Sequence, residues 1–347
     1  MKNKENSSRR IFLKHLALLP LASLPAPEPG LYNVLTKKRD RKSLVPVMVT
    51  PFHSDLTIDW KSFDKVTDFY QQAGAEGYFA NCLSSEMYYL TPDERLAVTD
   101  RVVRHFKGKV PVVSTGSFGD TIAEKAEFVK KVHDLGTEAV ILITSHFAER
   151  QDSDEVLIEN LQKLASLTGN IPLGTYECPS PYKRVLSPEV FSYIVKSRRF
   201  IYHKDTSENI DNIRAKLNIA KGSSMQLYNA HTASAVASLR AGGAGLSPVS
   251  ANFYPEILAW ICRNADNPGK KEDVDWIQQE VARTEPLISK GYPVSSKYFL
   301  KKRGLPVEPV CRSNKRVLTG EQQDVLDQVY TRFSGWCERL GIKPVAV

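Results

Sequence analysis

The chain reads as an α/β protein, a (β/α)8 TIM barrel with a C-terminal helical appendix, and three observations carry that reading. Eight short apolar segments alternate with amphipathic helical patterns over about 220 residues. The first of them runs into Thr50-Pro51-Phe52-His53, without the glycine-rich phosphate loop that a doubly wound sheet usually carries there. At 347 residues the chain can also bury one large core and still have helices left over.

Each element has its own justification. Val45–Thr50 reads as the first strand, after which Trp60, Phe63, Val66, Phe69 and Tyr70 keep helical spacing until Gly74. Glu76–Asn81 is the second strand. Thr91-Pro92-Asp93-Glu94 then supplies an N-cap, a first-turn proline and a capping-box glutamate for a helix reaching Lys107-Gly108. Val110–Thr115 precedes another capping box, Thr121-Ile122-Ala123-Glu124, and a helix to Gly136. Ala139–Thr144 leads to a helix near Ser153–Thr168, and Ile171–Tyr176 to one opened by Ser187-Pro188-Glu189. Phe200–Lys204 is followed by a helix with Ile210, Ile213 and Leu217 on one face. Met225–Tyr228 is the seventh strand, Ala233–Ala241 its helix and Ala244–Val249 the eighth strand. Residues 44–263 are thus assigned to the barrel. Residues 264–347 form a C-terminal helical region with helices at Asp273–Ile288, Ser295–Lys302 and Gly320–Leu340.

Residues 1–30 read as a targeting signal. Ser8-Arg9-Arg10-Ile11-Phe12-Leu13-Lys14 resembles the twin-arginine export motif, an apolar stretch from His15 to Leu24 follows, and Leu24-Pro25-Ala26 offers a small residue for cleavage. The apolar run is too short to span a bilayer. The expected product is a periplasmic or secreted protein that leaves the membrane once the signal is removed. With 42% apolar and 25% charged residues the composition is that of a globular protein, which argues against disorder. Lys2, Lys4, Arg9, Arg10 and Lys14 against Glu5 account for half of the net charge of +8. The remaining basic residues are scattered among acids, which argues against a nucleic-acid partner. Cys82, Cys178, Cys262, Cys311 and Cys337 form no CxxC pair, which argues against a zinc cluster or a disulfide scaffold. Cys82 and Cys178 fall at strand ends, where they can face one another.

In such a barrel the chemistry sits at the C-terminal ends of the strands. Those ends hold Thr50, the Asn81–Glu86 loop, Ser114-Thr115, Ser145-His146-Phe147, Tyr176, Lys204, Ala230-His231-Thr232 and Ser247. Lys204 is the lysine among them. A free lysine titrates near pH 10.4, and a nucleophilic one must be brought down to about 7–8 by desolvation or a nearby cation. Tyr176 ends the neighbouring strand, about 5 Å away, so its phenol can reach Lys204 or a group bonded to it. A rival arrangement would use His53, His146, His203 and His231 as metal ligands, but they fall at different strand ends and show no spacing such as His-x-His.

These residues together resemble the dihydrodipicolinate synthase and N-acetylneuraminate lyase family of class I aldolases, from Leu44 to about Leu340. Thr50-Pro51-Phe52 matches the family's first-strand Thr-Pro-Phe. Leu83-Ser84-Ser85-Glu86 with Leu90-Thr91 and Glu94-Arg95 resembles its hydroxyl-rich loop and the helix start beyond. Tyr176-Glu177-Cys178-Pro179 resembles its Tyr-Asn-Val-Pro segment, and Lys204-Asp205 falls where the family keeps its imine-forming lysine. Gly242–Gly245, Val249–Asn252, Tyr292-Pro293-Val294 with Lys297, and Leu305-Pro306 extend the match. The departures are Cys82, Leu83 and Ser85 in the loop, Ala230 for a glycine, Arg184 displaced from the family's arginine, and His146-Phe147 where many members have a second tyrosine.

The resemblance implies imine chemistry on a 2-oxo acid, pyruvate or a sugar-derived homologue, with no metal and no organic cofactor. Lys204 would be the nucleophile and Tyr176 the proton shuttle. Ser84 and Ser85 would hold the substrate carboxylate, Thr50 would orient the phenol, and Ser247 would complete the substrate contacts. It also implies a homo-oligomer, dimer or tetramer. The expected reaction is that of a carbon–carbon lyase. The alternatives are a dihydrodipicolinate synthase-type condensation and a barrel that only binds a sugar acid.

Overall fold

The structure is a computed structural model that describes residues 41–313 and 317–346, all within one compact unit beginning at Lys38. The expected signal peptide lies outside the described residues. Eight parallel strands form the barrel: β1 (Ser43–Leu44), β2 (Tyr78–Phe79), β3 (Val112–Thr115), β4 (Ala139–Ile143), β5 (Leu173–Tyr176), β6 (Phe200–Asp205), β7 (Gln226–Asn229) and β8 (Gly245–Leu246). From β2 to β8 each strand pairs in parallel with the next, β8 pairs with β1, and an isolated bridge between Val47 and Phe79 closes the ring.

The first strand is shorter than its apolar run. Pro46 has no N–H to give, so its carbonyl accepts from Phe79 while the ladder with β8 stops at Leu44. Likewise β8 ends ahead of Pro248. The strands present alternate side chains to the interior and to the helices. On the inner side Phe79, Tyr202 and Tyr228 make an aromatic layer, with Tyr202 and Tyr228 stacked at 4.7 Å and Phe79 edge-on to Tyr202 at 6.3 Å. Gly174 makes room for it, because a Cβ there would stand 2.5 Å from Ile141 Cδ1 and 2.9 Å from Tyr202 Cβ.

The outer helices are α1 (Trp60–Gln72), α2 (Pro92–Phe106), α3 (Ile122–Asp134), α4 (Asp154–Leu167), α5 (Pro188–Lys196), α6 (Ile210–Ala220), α7 (Ala235–Arg240) and α8 (Pro255–Asn264). Thr91 and Thr121 close their capping boxes, and Ser187 caps α5. Helix α8 is buried from Pro255 to Cys262, and only its last turn, at Arg263 and Asn264, reaches the surface. What covers it is the appendix: α9 (Lys271–Ser289), α10 (Val294–Lys302) and α11 (Gly320–Leu340). Val274, Ile277 and Val281 of α9 and Val329, Phe333 and Trp336 of α11 share one core with Ile257, Leu258 and Ile261 of α8. Arg303 fastens the joint with two bonds to the Glu256 carboxylate, 3.0 and 2.6 Å, while its guanidinium lies between the Phe69 and Phe333 rings.

Behind β5 and β6 sits a buried ion cluster. The Lys216 ammonium, on α6, donates to Glu177 Oε1 and, at 2.6 Å, to Asp205 Oδ2. Glu177 also accepts from the Leu186 and Thr206 N–H groups, and His203 Nε2 lies 3.6 Å from Glu177 and 3.8 Å from Asp205. Glu177, His203 and Asp205 are spaced as metal ligands are, but the Lys216 ammonium already bridges the two carboxylates. Burial raises the Asp205 carboxyl, and the nearby His203 ring and the Lys216 ammonium outweigh it, holding Asp205 well below the usual carboxylate range. Its depressed pKa stabilises the fold above about pH 4, and that contribution is lost as the pH falls through the folded value. Lys216→Met leaves two buried carboxylates without their cation, so it is expected to destabilise the protein by about 3–5 kcal/mol in urea unfolding at pH 7.

Candidate active site

Lys204 and Tyr176 occupy facing register positions on β6 and β5, near the C-terminal ends of both strands. Both side chains point inward, above the aromatic layer, and each is only 3% exposed. Lys204 Nζ lies 4.4 Å from the centre of the Tyr176 ring and 5.5 Å from that of Phe79. Strand alternation turns its neighbours His203 and Asp205 to the outside, where Lys216 neutralises the carboxylate. Lys216 and Lys297, also buried, are both ion-paired, whereas Lys204 has no carboxylate partner among the described residues. Burial therefore lowers the Lys204 amine to about 8, with the Cys82 and Cys178 thiols pulling weakly the other way. The same burial raises the Tyr176 phenol well above its ordinary value, so it enters the chemistry as a neutral proton donor.

A cavity of about 600 Å³ opens above the pair. Leu83 and Ser84 from the loop after β2, Tyr88, Val249 and the appendix residue Tyr292 form its walls. Ser84 engages the Tyr292 phenol, which accepts from Asn252 Nδ2 at 2.8 Å, and the Tyr70 hydroxyl donates to the other end of that amide. The loop itself is pinned by Glu86, whose backbone is left-handed at φ +61°. Its buried carboxylate meets the Lys297 ammonium at 2.7 Å and accepts from the N–H and hydroxyl of the half-buried Ser313.

Three sequence-predicted contacts take other roles. Ser85 is fully buried away from the cavity. Its hydroxyl stands 2.7 and 2.9 Å from the Met48 and Ala80 carbonyls and accepts from Cys82 N–H, and its own N–H donates to the Cys82 carbonyl. It therefore shapes the loop and leaves Ser84 to line the cavity. The Thr50 hydroxyl donates to the Ser85 carbonyl at 2.9 Å, so it fixes that loop rather than orienting the Tyr176 phenol. Ser247 is buried beside the Tyr202 phenol, below the cavity. The five cysteines are free thiols. Sequence reasoning missed Tyr88, which no strand end predicts, and Lys216, whose charge hid it on an otherwise apolar helix face.

Charge at the rim is already paired. Lys183 meets Glu208 at 2.6 Å, and His231 lies 3.8 Å from Glu285. Arg184 is turned away, bonded to the Glu149, Asp152 and Ser153 carbonyls and to Asp154.

A desolvated lysine facing a tyrosine at the mouth of a parallel (β/α)8 barrel defines a Schiff-base-forming aldolase, a carbon–carbon lyase of class I. The chain belongs to the dihydrodipicolinate synthetase family, whose profile matches residues 40–332. Similar sequences include the 4-hydroxy-tetrahydrodipicolinate synthase of Saccharophagus degradans, 27% identical over 266 residues, 76% of this chain and 89% of that one. The corresponding enzyme of Marinobacter nauticus is 24% identical over 75% of this chain and 84% of its own. In three dimensions the chain is similar to YagE, a prophage protein of E. coli K12 solved with pyruvate, with a TM-score of 0.76, 19% identity and coverage of 84% and 98%. It is likewise similar to a pyruvate complex of the dihydrodipicolinate synthase from Acinetobacter baumannii, with a TM-score of 0.75, 20% identity and coverage of 85% and 99%.

Because only the free amine attacks a carbonyl, imine formation should rise with pH and level off above about 8, rather than above the 10.4 of an ordinary lysine. Borohydride reduction at a series of pH values, read by intact mass, checks this, and Lys204→Ala should give no adduct at any pH.

Proposed function

We propose that this protein makes or breaks a carbon–carbon bond of a 2-oxo acid, pyruvate or a sugar-derived homologue, through an imine on Lys204. The observation that carries the reading is the buried, carboxylate-free Lys204 amine against the Tyr176 ring. The pyruvate named for two structural neighbours supports the choice of keto acid. Lys204 attacks the keto carbon, Tyr176 gives a proton to the oxygen that leaves as water, and the protonated imine takes up the electron pair of the breaking bond. Ser84, on the cavity wall, holds the substrate carboxylate. We place the protein in the periplasm or cell exterior through the Ser8–Lys14 motif, working as a dimer or tetramer through its helical appendix.

The second half of the substrate is apolar, or differently oriented, where it meets Leu83. A substrate hydroxyl buried against that side chain would forgo a hydrogen bond, at about 1–3 kcal/mol. Among the described residues Arg184 is turned away from the cavity and the Lys183 ammonium is paired with Glu208, so neither stands free for a second carboxylate. Both features favour a lyase role over condensation with aspartate semialdehyde, the synthase alternative. Synthase product formed by the wild type at rates usual for that class would reverse this preference, and Leu83→Thr should move activity toward it.

Tyr176→Phe should slow turnover about 100-fold or more with the fold intact, as steady-state kinetics and circular dichroism would show. If no 2-oxo acid in a broad panel gives a borohydride adduct, the barrel binds its ligand without catalysis. Replacing Arg9 and Arg10 by lysine should abolish export, and light scattering should find no monomer.

A further inference from the structure

The cavity holds a second proton-handling pair that the imine chemistry on Lys204 and Tyr176 leaves unused. Tyr88 is on the cavity wall, and its hydroxyl lies 2.9 Å from His146 Nε2 and 2.7 Å from the Ser180 carbonyl. His146 Nδ1 lies 2.7 Å from the Ser117 carbonyl, so that nitrogen must carry a proton. The other tautomer would accept from the Ser117 hydroxyl at 3.1 Å, but would set a lone pair against the carbonyl oxygen. Three contacts thus need a proton, and a neutral tyrosine and a neutral histidine supply two. The pair is one proton short, and an imidazolium would satisfy every contact: Nδ1–H to Ser117, Nε2–H to Tyr88, and the Tyr88 hydroxyl to Ser180.

We propose that Tyr88 is a catalytic residue that takes the proton from the substrate hydroxyl as the carbon–carbon bond breaks, and that His146 stores it. The proposal rests on the imine reading. With a 4-hydroxy-2-oxo acid held as its Lys204 imine, the C3–C4 bond breaks and its electron pair passes into the imine to give the enamine. The C4 hydroxyl loses its proton as the aldehyde forms. Tyr88 Oη receives that proton while passing its own to His146 Nε2, so Tyr88 stays neutral and His146 becomes charged. The proton then returns through Tyr88 to C3, restoring the imine that water hydrolyses.

Burial keeps the resting imidazole neutral, lowering it to about 4, helped by the Lys125 and Arg95 charges, and raises the Tyr88 phenol, which also faces the Cys178 thiol. The acceptor is thus unprotonated and ready at neutral pH.

The test compares wild type, Tyr88→Phe, His146→Gln and the double variant. Pyruvate release from the 4-hydroxy-2-oxo acid that wild type turns over fastest is measured from pH 4 to 9, alongside borohydride trapping of pyruvate on Lys204. Each single variant should lose about 100-fold in kcat while keeping the wild-type yield of adduct. The double variant should be no slower than the singles, because the two residues act as one unit. The acid limb of the wild-type kcat profile should disappear in His146→Gln. Wild-type turnover in either single variant, multiplying losses in the double, or loss of the adduct together with turnover would overturn the relay. An absent adduct in the wild type itself would overturn the imine reading and the relay with it.

Discussion

The constraint on which this structure depends is a primary amine kept in the barrel interior without a counter-charge. A carboxylate beside Lys204 would hold it protonated and inert, yet Asp205 follows it directly and Glu177 stands on the adjacent strand. Strand alternation sends both acids outward, and Lys216 takes them up behind the sheet. The outer ion cluster and the inner lone amine are therefore two halves of one electrostatic design. Moving β6 by a single register step would exchange them.

The second requirement is a wall that confines a small acid over that amine, and it is assembled from distant parts of the chain. The β2 loop contributes Leu83 and Ser84, but its geometry is held by Ser85, Thr50 and the Glu86–Lys297 pair. Hydroxyls here divide between those that meet the cavity and those that shape the backbone offering it. Residue type alone does not tell the two apart, since Ser84 and Ser85 are adjacent and chemically identical.

That division explains what could be read in advance. Lys204 and Tyr176 were legible because strand ends can be counted and a lysine is conspicuous at one. The caps at Thr91, Thr121 and Ser187 were legible because they are local. The roles of Thr50 and Ser247 were not, because a strand's last residue can face the cavity, the loop backbone or the layer below, and three-dimensional packing decides which. Lys216 was hidden by a charge whose partners lie 39 and 11 residues away.

The Glu86–Lys297 contact carries a consequence for how such a protein changes over time. One end of this bridge belongs to the loop that faces the substrate and the other to α10, and Tyr292, a few residues before, stands on the cavity wall itself. The tail cannot be exchanged for that of a relative as an inert covering. Remodelling it would carry specificity along, so the appendix and the β2 loop should be inherited together, and a graft that moves one without the other would import a mismatched pocket.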